Sequence, residues 1–168
     1  MTVLGLAGLQ SHAALAEMES FQRAQAILLL QDMVDRINAN RFNAMAYVTS
    51  TPAGSDLGIQ DCTPLVGAPR DLCEWSNALV GAAETNIGGS KVGAMIGARG
   101  CVQNTVAVMP RQFVVSVVWQ GTTPTRAPTT ACGAGQYGDE ATRRALSTTI
   151  TIGCLQNAPA SGLCIFPP

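Results

Sequence analysis

The sequence predicts an α+β domain in which one long N-terminal helix packs on an antiparallel β-sheet of three to four strands. Three observations predict it. From about Leu4 to Arg41 there is no proline and, after Gly8, no glycine. From Val102 onward, β-branched and apolar runs alternate with turn residues. The stretches between those runs carry no helical pattern, so successive strands must pair antiparallel rather than through helical crossovers. With 168 residues, 47% of them apolar, the chain can bury one real core.

The helix comes first. Ala, Leu, Gln, Glu, Met and Arg dominate it, all good helix formers. Ile27, Leu30, Val34 and Ile37 recur at steps of three and four, and Phe21 and Ala24 extend the stripe backwards as the expected core face. Glu19 with Arg23, and Asp32 with Arg36, are acid-first pairs one turn apart. A helix of ~35 residues is ~50 Å long, whereas a domain of this size is roughly 30 Å across. The part before about Phe21 must therefore protrude or pack on another chain. Leu4, Leu6, Leu9 and Leu15 on it are expected to meet lipid or neighbouring helices as an assembly interface. The opening Val3–Leu9 run is far shorter than the ~20 residues of a spanning helix. It reads either as the end of a longer hydrophobic segment or as a short start packing on the protein itself. Residues 1–42 are thus the helix and 43–168 a globular head.

Within the head, residues 43–100 read as loop and one short helix. Thr, Pro, Gly and Ser crowd residues 49–69. Over about Arg70 to Ala83, Leu72, Trp75 and Leu79 share one helical face, and Asp71 with Glu74 has the spacing of a capping box. Residues 88–100 carry five glycines and predict a loop. The sheet and a closing loop follow over 101–168. Val102 to Met109 predicts a strand with Val106 and Val108 on one face, and Pro110-Arg111 a turn. Phe113 to Trp119 is a near-continuous apolar run, hence a buried central strand with Val115, Val117 and Trp119 in the core. After a loop over Gly121–Gly138, Leu146 to Ile152 alternates, placing Ile150 and Ile152 inward. Leu163 to Phe166 predicts a short edge strand.

Charged residues make up 12% of the chain and the formal net charge is -1, so no basic footprint for nucleic acid exists. Six cysteines lie at 62, 73, 101, 132, 154 and 164, none in a C-x-x-C pair. The single histidine, His12, is far from them in sequence, so disulfides in an oxidising compartment fit better than zinc. Six cysteines allow 15 pairings, and spacing alone fixes none of them. His12 has no nucleophile and orienting carboxylate in pattern around it and reads as a surface histidine. Gly88-Gly89-Ser90-Lys91 lacks phosphate-loop spacing. Asp139-Glu140 supplies too few oxygens for calcium. Trp75 and Trp119 occupy apolar faces and read as core. No catalytic, cofactor-binding or metal-ligating set emerges.

Several segments together resemble one family. Leu4-Gly5-Leu6-Ala7-Gly8-Leu9-Gln10 looks like the end of a hydrophobic N-terminal segment. Gln31 to Arg41, Asp71-Leu72-Cys73-Glu74-Trp75, Gly100-Cys101-Val102, Val117 to Gly121, and Tyr137 through Ile152 follow in register. The pattern is similar to the PilV family of type IV pilus minor pilins across nearly the whole chain. The resemblance implies a type IV pilin-like fold and a structural, non-enzymatic role without cofactors, in priming pilus assembly and at the pilus tip. It implies partners among other minor pilins, the major pilin and a tip adhesin. Anchoring would be in the inner membrane through a preceding segment, with the head periplasmic before assembly and extracellular in the pilus after it. The family's leader, its peptidase site and its N-terminal glutamate have no counterpart in these residues, so no residue takes those roles. The resemblance also implies a Cys154–Cys164 bridge closing the C-terminal loop. Cys62–Cys73 and Cys101–Cys132 accompany it, with exchange of partners between those two pairs left open. Two other readings stand beside it: a minor pseudopilin of type II secretion, I-type, and a periplasmic or surface ligand-binding domain.

Overall fold

The uninterrupted run of helix formers closes into one helix, α1 (Thr2–Ala39), in a computed structural model that describes residues 2–54, 56–81 and 95–153. The side chains of residues 2–9 and of Ser11 lie outside the description. At 1.5 Å per residue α1 is about 57 Å long. It runs into a 3-10 turn, Arg41–Tyr47. A two-residue strand, β1 (Ala53–Gly54), follows, then α2 (Ala68–Val80). Three long strands complete the described fold: β2 (Arg99–Val106), β3 (Arg111–Gln120) and β4 (Arg143–Ile152). The four strands stand in sequence order, each antiparallel to the next. The fold is α+β, a long helix on a four-stranded antiparallel sheet.

Chain chemistry sets the boundaries of α2. Pro69 occupies its first turn, where a missing N–H costs nothing, and Gly81 ends it in the left-handed region at φ 76. The helix therefore starts two residues before Arg70 and stops at Val80. The Asp71–Glu74 capping box does not form: Gly67 is the N-cap and makes no side-chain cap bond. Both acids turn instead toward Arg36 on α1.

The core lies between α1, α2 and one face of the sheet. Val102 stands opposite Val115, Phe113 opposite Ile150 and Val117 opposite Leu146. Phe113, Val115, Val117, Trp119 and Ile152 are buried in this layer, with Ile150 partly so. From α1 come Ala26, Met33, Val34 and Ile37, with Leu29 and Leu30 half-buried. Trp75 is fully buried, and its indole N–H donates to the Leu29 carbonyl at 2.8 Å. Its ring lies over Gly100, where any Cβ would overlap it. On the opposite face of β3, Val118 packs with Cys101, Cys132, Tyr137 and Ala145. Burial on both faces explains the unbroken apolar run of β3.

Four expectations need correction. Phe21 and Ile27 are not core: they are 48% and 50% exposed. Each step of three residues on an α-helix turns the stripe by about 60°. A stripe followed back from Leu30 in threes therefore walks off the packing face, which runs instead through Gln22, Ala26, Leu30, Met33 and Ile37. Glu19 and Arg23 do not pair, because the head claims Glu19. Val108 falls beyond β2 and is exposed. β1 stands where only irregular chain was expected. The proposed strand Leu163–Phe166, the Cys154–Cys164 pair, Gly88–Lys91 and residues 82–83 of the short helix lie outside the described residues.

Candidate functional site

The candidate site is the exposed length of α1 and the contacts that fix it to the head. From His12 to Met18 every side chain is exposed. Leu15, 38% exposed, lines a shallow cavity of about 200 Å³ with His12, Ala16, Glu19, Thr122 and Thr123. Leu4, Leu6 and Leu9 carry no described side chains.

The first firm anchor is Glu19. Its Oε1 accepts from the Thr122 amide at 3.1 Å and the Thr122 hydroxyl at 2.8 Å, and faces Arg144 Nη2 at 3.2 Å. Thr122 above all, with Arg144 behind it, holds this carboxyl below its ordinary range against the opposing effect of burial. Arg144 is itself pinned by the Thr123 carbonyl at 2.6 Å and the Thr125 hydroxyl at 2.8 Å.

The second anchor is Arg36. Its guanidinium donates to Asp32 on its own helix at 3.0 Å, and to Asp71 at 3.1 Å and Glu74 at 2.8 Å on α2. Arg36, with Arg70, keeps the Glu74 carboxyl below its usual value. The Tyr47 hydroxyl donates to Asp71, and burial together with that carboxylate pushes the phenol up to about 12. Arg36 thus ties α1 to α2, and Tyr47 joins the 3-10 turn to them through Asp71. Sequence spacing shows the Asp32–Arg36 pair but not its two distant partners.

Two disulfides hold the loops of the head. Cys62 joins Cys73 of α2 with Cα atoms 5.7 Å apart, and Cys101 of β2 joins Cys132 at 5.9 Å. Arg143, nearly fully buried, donates to the carbonyls of Thr130 and Cys132 at 2.8 and 3.0 Å and pairs with Glu140. The two neighbouring acids, too few to hold calcium, are engaged within the head: Glu140 by Arg143 and the Gly135 amide, Asp139 by the Ala141 amide. Among the described residues no His, Cys, Asp and Glu group could hold a metal ion. His12 lies on the exposed helix with no nucleophile bonded to it among those residues.

The feature that sequence reading missed is the outward face of α1. Phe21 is 48% and Leu28 66% exposed. Ala14, Phe21 and Leu28 repeat every seven residues, which returns to within about 20° on a helix. The seven-residue spacing was visible, but nothing in it told outward from inward. Among the described residues no helix is long and apolar enough to cross a membrane.

Residues 8–73 match the model of the Tt1218-like family, described as type IV pilin Tt1218. The matched stretch runs from Gly8 within α1 through the 3-10 turn and β1 into α2 as far as Cys73, less than half the chain. No curated protein and no solved structure matches. The match supports a type IV pilin, a family that is structural rather than enzymatic in its role and is found at the pilus or cell surface.

Proposed function

We propose that this chain is a minor pilin of the PilV type, a subunit that assembles with other minor pilins to prime the type IV pilus and remains near its tip. The observation that carries the reading is a helix longer than the head it serves, anchored from Glu19 onward and bare on its outer face. Similarity to pilins over that same helix supports it. An exposed apolar stripe of this length is stabilised when another helix covers it. The rigid anchors let the head be placed by the helix rather than swing on it. In this reading the subunit waits at the inner membrane with its head in the periplasm, then enters the fibre and meets the major pilin and a tip adhesin. A chromosomal deletion tests it. Loss of surface pili and of twitching, restored by the parent gene, is the expected result. Intact piliation with a defect in protein secretion would move the chain to the pseudopilins instead.

A further inference from the structure

An open cleft of about 340 Å³ lies between the chain leaving the 3-10 turn, the loop before α2 and α2 itself, within the ~300–1,000 Å³ usual for ligand sites. Val48, Leu57, Leu65 and Leu72 give it aliphatic walls, and no residue of α1 lines it among the described residues. The outer wall is fixed in advance. Cys62 is bridged to Cys73 of α2, and the Asn77 side-chain amide donates to the Gln60 carbonyl and accepts from the Gln60 amide, each at 2.8 Å. A wall already held in place loses little freedom when a guest enters. It keeps Leu57 48% exposed beside the opening.

The lining also sorts guests by chemistry. No charged side chain contributes to it among the described residues. An ion entering would shed water without gaining a counter-charge, so the cleft favours a neutral guest. No aromatic ring lines it among those residues, so a planar base finds no stacking platform. Ser76 is the buried polar group of the lining, 2% exposed. Its hydroxyl accepts from the Gly54 amide at 3.0 Å and has no acceptor for its own proton among the described residues. That proton is free to meet a carbonyl. The side chains of Ser50, Thr51 and Gln60 line the same cleft without partners among those residues and can take up a neighbouring N–H.

We infer that the cleft binds a small uncharged acyl compound, its aliphatic chain among Leu57, Leu65 and Leu72 and its carbonyl on the Ser76 hydroxyl. The site goes beyond the assembly reading and does not rest on it.

The test is a methyl NMR titration of the full chain with hexanamide, and with hexanoate as its charged counterpart. Hexanamide is expected to shift the methyls of Val48, Leu57, Leu65 and Leu72 together and saturably at millimolar concentration. Hexanoate binds more weakly by about tenfold or more, because its charge must be desolvated. Ser76→Ala weakens the amide by about fivefold through loss of one hydrogen bond. That change also strips the Gly54 amide of its acceptor, so a second variant is made at an exposed position. Leu57→Glu weakens hexanamide by about tenfold, by placing a charge at the cleft, and leaves the melting temperature unchanged. No saturable shift, equal binding of the two probes, shifts confined to other methyls, or parent-like binding in either variant overturns the proposal. Tighter binding of N-acetyl-leucinamide than of hexanamide overturns it too, by assigning the cleft to a peptide side chain.

Discussion

Glu19 shows how one side chain can fix where a helix stops being free. Its Oε1 gathers Thr122 and Arg144 at the point where the exposed turns of α1 end. Because those donors hold the folded carboxyl below its ordinary value of 4.5, their stabilisation is fully present above that value. It is lost as pH falls through the depressed folded value. The side chain is 33% exposed, so solvent limits the contribution to about 1 kcal/mol. Amide exchange at Thr122 and Thr123, corrected for intrinsic rates, is expected to accelerate as pH drops below about 4.5. In Glu19→Gln that acceleration disappears; its persistence would show that Glu19 is not the titrating group. Local spacing paired this residue with Arg23. The partner it actually takes, Arg144, lies at the far end of the chain, and no periodicity could have disclosed it.

The phase of α1 decides which of its apolar residues hold the fold. Met33→Ala is expected to cost about 2 to 4 kcal/mol, as found for buried large-to-small changes, because Met33 is fully buried. Leu28→Ala should stay within about 0.5 kcal/mol, as for other exposed positions. Urea midpoints of the two variants check the contrast, and equal losses would refute the assigned face. The strands were the most legible elements. β3 announced itself by an apolar run and β4 by its alternation, which made an antiparallel sheet legible, whereas the strand order and register are set by tertiary pairing. The short elements were not legible. β1 is two residues long and exists because Ala53 and Gly54 meet Gly100 and Arg99 on β2, a tertiary accident of the turn before it. The start of α2 was misplaced because Asp71 and Glu74 suit a cap equally well as they suit a distant arginine.

For the molecule as a whole, length was the most informative quantity in the sequence. A helix of about 57 Å cannot hide in a head about 30 Å across, and the structure leaves His12 to Met18 bare accordingly. Hydrogen exchange is expected to protect the amides of α1 after about residue 22 and to exchange those before about residue 14 much faster, since the exposed turns from His12 to Met18 separate them from the buried face of the helix. Uniform protection in the monomer would mean that the early turns have found a partner. What length could not say was how the head grips the helix. Glu19 and Arg36 lie about 26 Å apart along the axis, with the indole of Trp75 bonded to Leu29 between them. Tension applied along the exposed turns of α1 therefore reaches the head as shear, shared at once by both ion-bridged points and the apolar seam between them. A sideways load would instead break them in turn, one after another, like tape lifted from an edge. The joint is built to be strong when pulled along the helix and weak when peeled.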